Sequence, residues 1–316
     1  MKALIIGGAG FVGGYLINEL LENGWEVHAT CLENERISEN CTVHTLDILN
    51  KNSIVDVFNS ISPDIIYHLA AQSSVAVSWK KPQLTAEINI IGSLNVLEAL
   101  RESHKKDIRL IMIGSGEEYG YIRPESCPLS ESEPLRPGNI YAATKACQEM
   151  MCEIYTRTYG LDIIMVRAFN HSGPKQSSTF VISDFCRQIS EIEKGKKFSE
   201  ICVGNLSAMR DFTDVRDVVR AYRLLADKGI SGKIYNIGRG KAVSIQYILD
   251  TALSFAKTDI HVKKDPERMR ASDIPVIEPD VSEIFADTGW KAEITVEQTI
   301  KDTLDYWRKE QEKCQI

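Results

Sequence analysis

The chain has 316 residues, 43% of them hydrophobic and 26% charged, ordinary values for a globular protein with room for one large domain or two smaller ones. A formal net charge of −7 with no Lys/Arg cluster excludes a basic footprint for nucleic acid, so anionic ligands must be held by individual arginines. Eight cysteines show no C-x-x-C pair and no paired His spacing, which argues against zinc or any other metal and reads as scattered reduced thiols.

The first apolar run, residues 4–6, reads as a strand that ends in Gly7, Gly10 and Gly13 and passes into a helix over 13–23. That G-x-x-G-x-x-G turn lets the backbone approach a pyrophosphate, which then sits on the amides of the helix N-terminus. Glycines interrupt the run, so it is a strand rather than a leader peptide. No segment reaches the length of a membrane span, and the expected location is cytoplasmic.

Strands are then expected at 26–30, 42–46, 65–69, 108–113 and 163–166, with helices at 52–61 (stopped by Pro63), 85–103 and 140–158. Repeated βα units predict an α/β, Rossmann-type doubly wound parallel sheet, with ligands beyond the carboxyl ends of its strands. After about residue 170 the pattern loosens. A polar loop at 171–178 leads to a helix at 180–194, an extended segment at 210–213, a helix at 215–228, a strand at 233–238 and helices at 244–256 and 295–313. The expected organisation is a dinucleotide-binding domain over 1–170 and a smaller C-terminal α/β substrate lobe over 171–316, with a soft boundary and elements that interleave.

Tyr141 and Lys145 lie four residues apart on the predicted helix 140–158, hence on one face. A fixed cation beside a phenol stabilises phenolate and lowers its pKa, so the pair suits proton exchange at a carbonyl or alcohol while a nicotinamide exchanges hydride. Ser115, at the carboxyl end of the fifth strand, is placed to hydrogen-bond a substrate oxygen, and Glu117 follows it. Beyond the second strand there is no aspartate for the ribose hydroxyls and no arginine for a 2′-phosphate before Arg36, so NAD(H) and NADP(H) both stand as cofactors.

With Gly7/Gly10/Gly13, Asp47-Ile48, His68-Leu-Ala-Ala71, Asn89, Ser115, Tyr141/Lys145 and Arg167-Ala-Phe-Asn170, the whole chain resembles the extended short-chain dehydrogenase/reductase superfamily, nucleotide-sugar-modifying branch. The stretches His68-Leu-Ala-Ala-Gln-Ser-Ser-Val75, Ser78-Trp79, Val203-Gly-Asn-Leu206 and Arg210-Asp-Phe-Thr-Asp-Val-Arg-Asp217 are similar to its GDP-mannose-processing subgroup. That subgroup includes a 4,6-dehydratase and the reductase acting on its product.

The resemblance implies that Gly7, Gly10, Phe11, Val12 and Gly13 form the pyrophosphate turn, Asp47 and Ile48 meet the adenine, and Leu69, Ala70 and Ala71 line the cofactor. It gives Tyr141 and Lys145 the nicotinamide ribose and the proton, and gives Asn170, Asn205, Arg210 and Arg270 the GDP-sugar. Arginine suits that task because its planar fork matches phosphate oxygens. Where the subgroup has an Arg-Pro-Ser-Glu-like stretch, this chain has Arg270-Ala-Ser-Asp-Ile274.

A 4,6-dehydratase needs a base at C5 and an acid at the departing C6 hydroxyl. Glu117 occupies the base position, but Gly116 stands where the leaving hydroxyl is handled, and glycine offers no donor. A reductase needs only a hydride source, Tyr141 as proton donor and Ser115 on the C4 carbonyl, so reduction of the C4 ketone of GDP-4-dehydro-6-deoxy-D-mannose is the expected activity. The dehydratase is the alternative, and a non-catalytic NAD(P)-sensing regulator a further one, disfavoured by the intact Tyr/Lys pair. A homodimer through helices 85–103 and 140–158 is expected, with Leu94, Leu97, Leu100, Met150, Met151 and Ile154 as the contact.

Overall fold

The computed structural model describes residues 1–196, 198–268 and 275–313. Its first part alternates as expected: β1 (Lys2–Ile6), α1 (Phe11–Glu22), β2 (Glu26–Cys31), β3 (Thr42–Thr45), α2 (Lys51–Ile61) and β4 (Ile65–His68). Next come α3 (Val75–Lys80), α4 (Pro82–Ala86), a π-helical turn (Glu87–Ile91), α5 (Gly92–Glu102), β5 (Arg109–Ser115), α6 (Ile140–Tyr159) and β6 (Asp162–Ala168). Helix limits follow local chemistry. Asn50 caps α2 through Ser53 N (3.3 Å), and Asn139 caps α6 through Ala142 N (2.9 Å). Gly160 ends α6 in the left-handed region.

The strands β1 to β6 lie parallel in the order 6-5-4-1-2-3, with a seventh, β10 (Ile234–Ile237), parallel to β6 at the outer edge. The order reverses at β1 and β4, the crevice where doubly wound sheets bind ligands. Alternate residues of β1 face opposite cores. Ala3 and Ile5 pack with Leu16, Leu20 and Tyr222 on one face, and Leu4 and Ile6 with Ile54, Phe58, Val96 and Leu100 on the other.

The remaining elements are β7 (Asn170–Ser172), α7 (Val181–Glu193), β8 (Glu200–Val203), β9 (Met209–Asp214), α8 (Val215–Lys228), β11 (Ala242–Ser244), α9 (Ile245–Ser254), β12 (His261–Lys264), β13 (Val276–Ile277), α10 (Ser282–Thr288) and α11 (Val296–Lys313). Strand β9 pairs with β7, β11 and β13, and α7, α9 and α11 enclose a core of their own. Two elements return from this later part to the parallel sheet: β10 extends it, and α8 buries Val218, Tyr222 and Leu225 in its core beside α1.

The helix expected over 85–103 runs from Pro82 to Glu102 and contains a π turn at Glu87–Ile91. The π turn sets Asn89, fully buried, so that its side chain accepts Gln72 N (2.8 Å) and donates to Gln72 O (3.1 Å) and Thr144 Oγ1 (2.9 Å). A π turn realigns one side chain, here to tie the loop after β4 to α6. Two residues expected at the dimer contact are buried within the protomer instead. Leu97 and Leu100 are buried in the sheet's core, because Gly92 brings α5 down onto Ile48, while Met150 and Ile154 are exposed on α6.

Candidate active site

The glycine turn is shaped for close backbone approach. Gly7 adopts φ +90°, and a Cβ there would stand 2.7 Å from Ala70 N; one on Gly13 would stand 2.4 Å from Gly8 O. Gly10 differs: a Cβ would meet only Gly7 O, at 3.4 Å. It precedes the first turn of α1, occupied by Phe11 and Val12, which carries no side-chain cap and no acidic residue. Uncapped amides beside an open glycine fit an anionic pyrophosphate. Across the crevice, Leu69 N and Ala70 N both donate to Ile6 O (2.9 Å each), which brings Leu69, Ala70 and Ala71 alongside the glycines. Asp47, exposed after β3, accepts Leu49 N (2.9 Å), and buried Ile48 accepts Asn95 Nδ2 through its carbonyl (2.9 Å).

Ser115, Tyr141 and Lys145 meet at the carboxyl end of β5, each nearly buried. Burial pushes the Tyr141 phenol well above its ordinary pKa, and a hydrogen bond with the Ser115 side chain works against that rise. That burial outweighs the lowering expected from Lys145. Lys145 Nζ donates instead to Ile113 O (2.7 Å) and Gln148 Oε1 (3.0 Å), and burial pushes its own pKa down. Glu117 accepts from Asn139 Nδ2 (3.1 Å) and so is tied to the cap of the helix that carries Tyr141.

A cleft above β5 and β6 is lined by Ser115, Gly116, Glu117, Phe169, Asn170 and Arg210. It brings together four of the sequence-marked residues from β5, β7, β9 and the turn after β5. Arg210 Nη1 donates to Met209 O (2.8 Å). Asn205 sits apart, in the turn after β8, where its Oδ1 accepts from Ser207 N (3.0 Å). Arg270 lies outside the described residues.

The sequence reading passed over three buried groups around this site. Glu118 accepts Ser115 N (2.6 Å), and Gln148 holds Lys145. Arg167 makes a bidentate bond with Glu149 (2.9 and 2.7 Å) and lies 4.7 Å from the centre of the Tyr119 ring. Removing either partner of that pair leaves a buried charge unanswered, at a cost of about 3–5 kcal/mol. Glu149 is eight residues from Tyr141 on one helix, a spacing that marks a shared face but not what the face meets.

His68, buried at the end of β4, shares a hydrogen bond with Ser93 Oγ (3.1 Å), and burial, with Lys145 adding to it, brings its pKa down to about 3. The folded state therefore keeps His68 neutral, while the unfolded chain takes up a proton below about pH 6.5. Stability is full above that pH and is lost as pH falls toward about 3. Between about pH 7 and about pH 4 this group should cost roughly 3 kcal/mol, and Phe in its place should flatten that part of a denaturant-midpoint profile. An unchanged acid slope in His68→Phe would assign the loss to other groups.

A model of the family described as GDP-mannose 4,6 dehydratase matches residues 4–303. The chain belongs to that family. It is therefore an NAD(P)-dependent enzyme of the extended short-chain dehydrogenase/reductase class. GDP-6-deoxy-D-mannose reductase of Pseudomonas aeruginosa is 33% identical over 264 residues, 84% of this chain and 86% of the relative. GDP-mannose 4,6 dehydratase 1 of Arabidopsis thaliana is 29% identical over 325 residues, 96% of this chain and 88% of the relative. Among solved structures, that of RMD from Pseudomonas aeruginosa complexed with NADPH superposes with a TM-score of 0.87 at 30% identity, covering 98% of this chain and 100% of the other. UDP-glucose 4-epimerase of Thermus thermophilus with NAD gives 0.87 at 28% identity, covering 98% and 99%. Reductases, dehydratases and epimerases share this fold, so the fold alone does not select the reaction.

Proposed function

We propose that this chain reduces the C4 ketone of GDP-4-dehydro-6-deoxy-D-mannose with NADPH or NADH, giving GDP-6-deoxy-D-mannose. The observation that carries the reading is the surroundings of Gly116. A Cβ there would stand 3.0 Å from the Phe169 ring, so position 116 itself supplies no side chain to protonate a departing C6 hydroxyl. Ketone reduction makes no such demand.

The glycine turn and the loop after β4 hold the dinucleotide, whose nicotinamide, when bound, supplies hydride. Ser115 donates a hydrogen bond to the C4 oxygen and polarises it. Tyr141 gives that oxygen its proton, and the burial that raises its pKa keeps the phenol in the acid form required of a donor. Lys145 ammonium, anchored on β5, favours the transient phenolate. Asn170 and Arg210, which line the same cleft, hold the nucleotide end of the GDP-sugar.

Dehydration remains the second reading because Glu117 is available as a base at the cleft. Two incubations separate them. With the keto sugar, absorbance of NAD(P)H should fall; with GDP-mannose and NAD(P)+, mass spectrometry should find no product lighter by one water. A dehydrated product would replace the reductase reading, and cofactor binding without turnover of either sugar would favour a sensor.

We also assign the assembly to a homodimer through α6 and the helices before α5. Met150 and Ile154 on α6, with Ile91 and Leu84, expose an apolar surface there. Glutamate at both 150 and 154 should give a monomer in sedimentation; a persistent dimer would place the contact elsewhere.

A further inference from the structure

We propose that Glu118 is a positioning residue of this site: one carboxyl oxygen fixes the Ser115 end of β5, and the carboxyl as a whole acts as a reserve counter-charge for Lys145. The inference rests on the reductase reading for its turnover assay alone.

Glu118 is fully buried in the 3-10 turn Gly116–Tyr119 that follows β5. Its Oε1 accepts Ser115 N at 2.6 Å, one half of a reciprocal capping box with Ser115. Its Oε2 is buried with no hydrogen-bond partner among the described residues. Room for the carboxyl is made by Gly114, where a Cβ would stand 2.5 Å from Glu118 Oε1. Packing does not call for this arrangement. An apolar side chain would fill the space without the cost of a buried, half-bonded acid.

The neighbours explain it. Tyr141, Lys145, Glu149 and Cys152, on one face of α6, interact electrostatically with Glu118, as does Arg167 of β6. Arg167 is committed to Glu149 through two hydrogen bonds. Lys145 is bonded only to neutral acceptors, Ile113 O and Gln148 Oε1, among the described residues. Apart from Glu118 and Cys152, the titratable group facing it is His68 of β4, which is held neutral.

Burial thus pushes the Glu118 acid up and the Lys145 ammonium down, toward one another. The buried carboxyl therefore keeps its proton to higher pH than an ordinary glutamate. As pH rises it ionises, and its negative charge raises the pKa of Lys145, which keeps the ammonium beneath Tyr141 further into the alkaline range.

Two variants separate the roles. Glu118→Gln keeps an acceptor for Ser115 N and deletes the ionisation; Glu118→Leu deletes both. In the reduction assay the alkaline limb of kcat should move to lower pH by about one unit in Glu118→Gln, with KM shifted less than about twofold. In Glu118→Leu, kcat should fall by roughly tenfold or more at every pH as Ser115 loses its anchor. A wild-type limb in Glu118→Gln would overturn the counter-charge role, since a merely structural residue leaves the limb in place. Infrared difference spectra of wild type against Glu118→Gln, recorded without substrate, read the acid itself. A protonated-carboxyl band should be present near about pH 6 and lost on the alkaline side. No band overturns the proposal, whereas a titrating band in a protein that reduces no keto sugar supports the buried acid and overturns the reductase reading instead.

Discussion

Tyr141→Phe should lower turnover by about two to four orders of magnitude, the range expected when a positioned general acid is deleted. The ring is almost completely buried at the start of α6, so Phe keeps the packing and removes only the hydroxyl that bonds Ser115. Affinity for NAD(P)H, measured by quenching of cofactor fluorescence, should change little. That split matters, because a folding defect would weaken both. Ser115 and Glu117, which line the cleft, offer no ready substitute. Ser115 has an ordinary alcohol's reluctance to give up a proton, and Glu117 is held by Asn139 at the mouth of the cleft. Turnover within about tenfold of wild type would mean that the proton comes from elsewhere.

Arg210→Ala should raise the KM for the GDP-sugar by about 10- to 100-fold with a much smaller effect on kcat. A charge-assisted hydrogen bond is worth about 1.5–3 kcal/mol, and each 1.4 kcal/mol is a factor of ten. Arg210 lies on β9 and lines the same cleft as Ser115. As a residue proposed to hold the diphosphate rather than the reacting carbonyl, it should contribute equally in ground and transition states, the pattern of a KM effect. Lys at 210 keeps the charge but not the fork, and should recover only part of the loss. An equal fall in kcat at saturating sugar would instead place Arg210 at the chemistry.

The parts of this architecture written in local pattern were legible in the sequence. Glycine spacing announced the turn after β1, and short strand-forming stretches between helical segments announced β1 to β6, including the mostly polar β3. The Tyr141/Lys145 spacing announced the face of α6 that is buried beside Ser115. What escaped were features set by contacts between distant segments. The π turn at Glu87–Ile91 exists to serve Gln72 and Thr144, and nothing in the periodicity of 85–103 distinguishes it from a plain helix. Glu118 reads as a solvated turn carboxylate until Gly114 and α6 enclose it. The phenol's environment was misjudged for the same reason: helical spacing gives proximity, whereas desolvation comes from the whole fold.

The late arrival of β10 bears on how the chain is made. Strand β6 gains its outer neighbour only when Ile234–Ile237 pairs with Met165–Ala168. The same segment supplies Asn236, which accepts the Tyr119 hydroxyl at 2.7 Å and so braces the turn beyond Ser115. During synthesis the first six strands leave the ribosome with an apolar margin still bare, a surface prone to pairing with another nascent chain. A fragment ending near residue 170 should therefore collect in inclusion bodies, while one reaching past residue 237 has the strands to close its own border.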